Sequence, residues 1–247
     1  HIFANEEHFR HLLRAAYDAA HQNYLVTLGI APTYPATGYG YIQQGDIVGK
    51  QADLDVFQVL RFVEKPDEEC AQTMLESGDY AWNSGMFVWR VARVMEEFER
   101  QMPELNLKLN EISKAWKQPQ RSSVIQEIWP KIHPETIDYG IMENASDVVV
   151  IPAQGLGWND VGSWEALFEV LAADEDGNIR TDQNCITLDS SDTLIYKKNA
   201  GRLVVTIGVE DLVIVDVDDV LLVCKKDQAQ KVRQVVKQLR ETRQEYL

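Results

Sequence analysis

Apolar residues in the first part of the chain alternate between helical spacing and short continuous runs, as expected when strands and helices take turns. Phe9, Leu12, Leu13 and Ala16 recur at three- and four-residue intervals. Asn5 is a good N-cap and Glu6 and Glu7 suit a first turn, so a helix is predicted up to His21. Residues 25–30 and 56–63 read as strands, with a Pro- and Gly-containing loop between them. Lys65-Pro66-Asp67 stops the second strand and opens a helix over 68–76, which Ser77-Gly78 ends; 85–90 then reads as a third strand. Helical stretches over 91–101, 103–116 and 122–132 follow, with Val94, Phe98, Leu105, Leu109 and Ile112 on their buried face. A short helix at 137–144, a strand at 147–152 and a helix at 162–172 complete an alternation that predicts a mainly parallel sheet with helices on its faces.

Beyond Gly177 the pattern changes. Ile186, Leu188, Leu194 and Tyr196, then 203–207, 212–217 and 220–223, form short strands separated by Asp- and Gly-containing turns. Ala229, Val232, Val235, Val236 and Leu239 mark one face of a closing helix that starts at Asp227. The boundary is expected near 174–178, dividing the chain into 1–175 and a small β-rich unit at 176–247.

With 247 residues, 45% of them hydrophobic, the chain can bury one large core or two unequal ones. The longest apolar runs, such as 148–152 and 219–224, are far too short to cross a bilayer, so no membrane partner and a cytoplasmic location are expected. Cys70, Cys185 and Cys224 are odd in number and widely separated, with no C-x-x-C, which supports neither a disulfide framework nor a structural zinc site. A net charge of -15 argues against a nucleic-acid surface, which needs clustered Lys and Arg. Positive potential for an anionic ligand must then be local, or come from a metal or from helix N-termini.

Three segments within fifty residues set polar or glycine-rich elements beside apolar runs: Thr37-Gly38-Tyr39-Gly40-Tyr41-Ile42, Phe62-Val63-Glu64-Lys65-Pro66 and Trp82-Asn83-Ser84-Gly85-Met86-Phe87. Polar groups at strand ends are where open α/β sheets bind ligands. Glu64 can accept paired hydroxyl hydrogen bonds and Lys65 can meet phosphate oxygens, which suits a sugar phosphate; the same pair is also ordinary solvated turn chemistry. Asn83 can donate and accept to a sugar ring and Gly85 permits close approach, although N-S-G is equally a turn. Gly38 and Gly40 let backbone groups approach a ligand, or simply shape a loop. In Trp158-Asn159-Asp160-Val161-Gly162, Asp160 either ligates a hard cation or caps the helix after Gly162. As a metal site it needs a partner acid, because Mg²⁺ is usually held by one or two carboxylates together with substrate phosphates.

Taken together these segments resemble the sugar nucleotidyltransferases, and most closely their mannose-1-phosphate guanylyltransferase branch. The resemblance spans nearly the whole chain. Besides the segments above it includes Thr27-Leu28-Gly29-Ile30, Pro32-Thr33-Tyr34-Pro35, Ile137-Asp138-Tyr139, Ser163-Trp164 and Gly208-Val209-Glu210-Asp211-Leu212. It implies an α/β fold, a Rossmann-like mixed sheet flanked by helices of the GT-A-like nucleotidyltransferase kind, incomplete at its N-terminus, with a small C-terminal β-helix-like domain. It also implies a reaction in which mannose 1-phosphate attacks the α-phosphate of GTP, releasing pyrophosphate and forming GDP-mannose. Such chemistry depends on positioning and charge neutralisation more than on a covalent nucleophile. By matched position Glu64 holds sugar hydroxyls, Lys65 the sugar phosphate, and Asn83 with the Gly40 backbone the sugar; Tyr39 and Gly85 belong to the same substrate-binding set. Lys65 and Asp160 carry the catalytic roles, Asp160 as the Mg²⁺ ligand.

The family's glycine-rich triphosphate loop and base-recognising segment have no match here, and its second metal-binding aspartate precedes a histidine that matches His1. The chain as it stands is therefore expected to be inactive alone. The β-rich tail implies a homodimer through that domain, and no β-barrel isomerase domain is expected after it. Two other readings stay open: another sugar-1-phosphate nucleotidyltransferase using glucose 1-phosphate or a different nucleotide, and a non-catalytic regulatory subunit.

Overall fold

The computed structural model describes residues 1–198 and 201–247. They form two compact units, residues 3–157 and residues 158–247 together with His1 and Ile2.

The first unit opens with α1 (Glu6–His21). Asn5 caps it, its side chain accepting from the His8 N–H at 2.9 Å, and Leu12, Ala15, Ala16, Ala19 and Ala20 are buried along one stripe. β1 (Leu25–Ile30) is buried at every position, as expected of a continuous apolar run covered on both faces. β2 (Tyr41–Gln51) and β3 (Leu54–Val63) form a hairpin closed at Ala52 and Asp53, whose φ angles of 47° and 67° are those of a tight primed turn. α2 (Glu68–Ser77) is capped by Asp67 and ends at Gly78 in the left-handed conformation, φ 76°. Then come β4 (Tyr80–Val88), α3 (Val91–Gln101), α4 (Pro103–Ala115), α5 (Arg121–Ile128), α6 (Ile137–Gly140) and β5 (Val148–Pro152).

The five strands close on themselves in the order β1-β4-β2-β3-β5. The expectation of a mainly parallel sheet fails: β1–β5 is parallel, and the ladders β1–β4, β2–β3, β2–β4 and β3–β5 are antiparallel. The cause is β2, whose polar sequence hides it from pattern reading and whose tight turn forces an antiparallel hairpin. Leu25, Val94, Ile141, Met142 and Val148 form a buried core here, with Phe62, Phe87 and Phe98 packed against it.

The second unit contains α7 (Leu167–Val170), β6 (Ile179–Arg180), β7 (Cys185–Leu188), β8 (Leu194–Lys197), β9 (Val204–Ile207), β10 (Leu212–Val217), β11 (Val220–Lys225) and α8 (Val232–Thr242). β8 pairs in parallel with both β6 and β10, β7 pairs in parallel with β9, and β11 returns antiparallel along β10. Parallel ladders between strands fifteen to twenty residues apart make this a β-helix-like coil. The helix expected over 162–172 shortens to Leu167–Val170, and Trp164, Leu167 and Phe168 pack on the core of Ile179, Leu194, Val213, Val215 and Ala229. That packing is why the spatial division falls before Trp158, ahead of the sequence boundary near 174–178.

Candidate functional site

The site is assembled in the first unit from the ends and edges of β2, β3 and β4 and from α6. Glu64 and Lys65 directly follow β3, as expected, and their side chains pair with each other. Glu64 is mostly buried, with 16% of its side chain exposed, while half of the Lys65 side chain faces solvent. Lys65 has φ 46°, a strained conformation for a non-glycine residue immediately before proline. Pro66 itself is buried, which fixes the exit of the chain.

Gly40 lies directly against the Glu64 carboxylate. A Cβ there would lie 2.5 Å from Glu64 Oε2 and 3.5 Å from Asn83 Cβ, so any other residue would displace the carboxylate. The Gly40 carbonyl accepts from the Asn83 N–H at 2.7 Å and keeps one lone pair for another donor. Tyr39 stacks edge-on against Trp82 at 5.0 Å, and Tyr34 meets the same indole at 5.0 Å. The buried Tyr41 hydroxyl and Trp82 Nε1 have no protein partner.

Asn83 and Ser84 lie within β4 rather than in a turn ahead of it, because that strand begins at Tyr80, earlier than expected. A register shift between Thr27 and Gly29 bulges the β1–β4 ladder here, and Gly85 takes φ 69°. The turn chemistry read from N-S-G is present inside the strand: the Gly85 N–H donates to Asn83 Oδ1 at 3.1 Å. Thr27 Oγ1 donates to the same oxygen at 3.3 Å, and Asn83 Nδ2 donates to Asp138 Oδ1 at 2.8 Å.

Asp138 is the residue that sequence reasoning passed over. It sits in α6 of the Ile137-Asp138-Tyr139 segment, which carried the family resemblance without a role. Burial pushes its carboxyl above the ordinary range, the Glu64 charge adds to this, and the Asn83 hydrogen bond and Lys65 oppose it. Glu143 is also raised, by burial first and then by the charges of Glu64 and Asp138. The Glu64 charge thus bears on both Asp138 and Glu143, and the Asp138 charge on Glu143. The segment after α6 is held by side chains of α3 gathered around Glu97, which is 2% exposed. Glu97 pairs with Arg93 at 2.7 Å and with Arg100 at 2.5 Å, and Arg93, Arg100 and Gln101 donate to the carbonyls of Ser146, Asn144 and Ile141.

Asp160 belongs to the second unit. Its loop is shaped by Asn159, whose Oδ1 accepts from the Val161 N–H at 2.8 Å and whose Nδ2 donates to Glu169 at 2.5 Å. Val161 takes φ 50°. A Cβ on Gly162 would lie 2.3 Å from Asp160 Oδ2, so glycine leaves that oxygen its space. The capping alternative loses its helix, because α7 begins at Leu167 with Ala166 at its N-cap. Among the described residues there is no group of three or more His, Cys, Asp or Glu able to hold a metal ion. A half-buried carboxylate still fits as one ligand of a divalent cation whose other ligands would be phosphates and a second acid.

The nucleotidyl transferase family model matches residues 1–177, and the MannoseP isomerase/GMP-like beta-helix domain model matches 183–239. The mannose-1-phosphate guanylyltransferase ManC of Salmonella typhimurium is 40% identical over 242 residues, covering 97% of this chain and 49% of that protein. A mannose-1-phosphate guanylyltransferase of Escherichia coli K12 is 38% identical over 244 residues, covering 97% of this chain and 50% of its own length. The chain thus spans about half the length of the curated relatives it matches. A crystal structure described as mannose-1-phosphate geranyltransferase from Thermus thermophilus superposes with a TM-score of 0.79 at 32% identity, covering 97% of this chain and 67% of that one.

Proposed function

The chain belongs to the nucleotidyl transferase family, and from that premise we propose that it serves the transfer of GMP from GTP to mannose 1-phosphate, giving GDP-mannose and pyrophosphate. The observation that carries this reading is the convergence of Glu64, Lys65, Gly40 and Asn83 on one place. Carboxylate acceptors for hydroxyls, an amide donor and a single ammonium make a set suited to a sugar phosphate. About 40% identity to mannose-1-phosphate guanylyltransferases over nearly all of the chain supports the choice of sugar and nucleotide.

In this reading Glu64 accepts from sugar hydroxyls, Asn83 donates to the ring substituents, and Gly40 admits the sugar against the backbone. Tyr39 and Gly85 shape the walls. Lys65 neutralises the attacking phosphate and holds it in line. Asp160 supplies one ligand to Mg²⁺, whose chemistry is to neutralise charge on the transferring phosphate. The catalytic part is proposed to run over 1–175 and the β-helix-like part over 176–247, the latter forming a homodimer contact. No helix among the described residues is long and apolar enough to cross a membrane, and a cytoplasmic site of action is part of the same proposal.

Turnover by the full-length gene product, measured with GTP, ATP and UTP against mannose and glucose 1-phosphates, tests the proposal. GTP with mannose 1-phosphate is expected to be the best pair. Equal or better turnover with UTP and glucose 1-phosphate would sink it. Asp160→Asn is expected to remove most Mg²⁺-dependent turnover while leaving the fold intact, and unchanged Mg²⁺ dependence would remove Asp160 from the metal site.

A further inference from the structure

Asn83 is central to the sugar site, yet most of its hydrogen-bonding capacity is already engaged. A carboxamide has two N–H groups and two lone pairs. Thr27 Oγ1 and the Gly85 N–H occupy both lone pairs of Oδ1, and Asp138 accepts one N–H. The orientation is forced, because a carboxylate only accepts and a backbone N–H only donates. Asn83 can therefore offer a ligand one N–H and no acceptor. The partners come from β1, β4 and α6, so the amide is fixed only when all three elements are in place.

Asp138 has a second oxygen. Oδ1 is taken by Asn83, whose own backbone N–H meets the Gly40 carbonyl where Gly40 lies against Glu64, so the Asp138 carboxyl borders the same group of residues. Resting on the sugar-phosphate reading above, we propose that Asp138 is a positioning and specificity residue: it locks Asn83 as a one-way donor and offers Oδ2 as a hydroxyl acceptor beside Glu64. The site then presents two carboxylate acceptors against a single amide donor. Its sugar must bring hydroxyl protons to both carboxylates, and an analogue lacking one of them leaves a partly buried acceptor unpaired.

Two substitutions in the full-length protein separate the two roles. Asp138→Asn keeps an oxygen for Asn83 Nδ2 but replaces the second acceptor with a donor. Asp138→Ala removes both. Asp138→Asn is expected to raise the sugar 1-phosphate KM about tenfold or more, with kcat and the GTP KM within about twofold, as for a residue that contacts only the sugar. Asp138→Ala is expected to cost more, and its effect should not add to that of Asn83→Ala, because the two act as a unit. The wild-type advantage over Asp138→Asn should shrink as the pH falls and the Asp138 carboxyl protonates, a change that a purely structural role would not produce.

Singly deoxygenated mannose 1-phosphates give a second readout. One deoxygenation should cost up to about a hundredfold in kcat/KM in the wild type and much less in Asp138→Asn, since it leaves a partly buried acceptor unpaired. Calorimetric binding of mannose 1-phosphate comes first. No binding to the wild type would overturn the sugar-phosphate reading and this inference with it, whereas binding that is equally tight in Asp138→Asn would overturn this inference alone. Equal losses toward sugar phosphate and GTP would also overturn it.

Discussion

In the unit of residues 3–157, three hydrogen bonds of buried and half-buried side chains join residues more than fifty positions apart: Thr27 to Asn83, Asn83 to Asp138, and Arg93 to Ser146. In the unit that ends at Leu247 they join near neighbours, Asn178 to Ser190, Thr193 to Asn178, Lys197 to Thr181 and Arg202 to Asp216, separated by 12 to 16 residues. The second arrangement is that of a coil in which each turn contacts only the next, so its stability is close to a sum of local steps. The first closes long loops before any of these bonds can form, and each closure carries an entropic cost that only a completed sheet repays. The groups proposed to hold the sugar phosphate are gathered in the unit whose geometry depends on the whole of its fold. This fixes them more firmly than a local turn could, because three separate elements must agree on where Asn83 points.

The contrast makes predictions that differ in size. The largest concerns Glu97, whose replacement by Gln leaves Arg93 buried without its charge partner and should cost about 3–5 kcal/mol, read from urea unfolding. The loss should loosen hydrogen-exchange protection across 137–152 as a whole. Protection lost only within α3 would mean that the network does not hold the distant segment.

Asn178→Ala should cost about 2 kcal/mol, since Asn178 is 1% exposed and bonds both the Ser190 carbonyl and the Thr193 N–H. Exchange should accelerate in β6 and β8 and leave β1 and β5 unchanged. A loss of protection spreading through all the strands of the second unit would break the local picture.

Acid stability sharpens the comparison further. Burial works to raise the Glu97 carboxyl, but hydrogen bonds from Gln101, Arg93 and Arg100 outweigh it and hold the group below its usual value. A carboxyl depressed in the folded state contributes stability that is present above its unfolded value of about 4 and lost as the pH falls through the lower folded value. Asp138 has the opposite sign. Its raised carboxyl favours the folded state at low pH, and that contribution disappears as the pH rises through the raised value. Urea midpoints measured across the acid range should therefore fall less steeply with acidification in Glu97→Gln than in the wild type, and more steeply in Asp138→Asn.

The smallest effect belongs to a purely local device. Asp67→Ala removes the N-cap of α2, whose side chain accepts from the Cys70 N–H at 2.9 Å, and should lower stability by about 1 kcal/mol. Sugar-phosphate KM should be unchanged, and a rise would show that α2 helps to place the neighbouring Glu64 and Lys65.

Much of the candidate site could be read from the chain because its pieces are local. Lys65-Pro66-Asp67 ends a strand and caps a helix by its own chemistry, and both events occur where they were expected. Gly40 is different: its loop was visible, but the reason for glycine is an atom of Glu64, 24 positions away, against which a side chain would collide. Beyond Tyr41 and Ile42 the strand Tyr41–Gln51 could not be read, because Gln43, Gln44, Asp46 and Lys50 leave no apolar alternation and its place in the sheet comes from pairing with β3 and β4. Delaying the start of the helix to Leu167 also needed the fold, since Trp164 and Leu167 pack on strands that follow them.

By itself the sequence determined the order of helices and strands in its periodic stretches, the change to short strands after Gly177, and the carboxylate and ammonium at the end of a strand. These depend on spacing along the backbone, and spacing is written in the chain. Only the tertiary structure decided that the sheet is mostly antiparallel, that Asn83 has one N–H left to give, and that Asp138 stands next to it. Those outcomes depend on which groups meet across more than fifty residues, and hydrophobic periodicity records which face is buried but not what lies opposite.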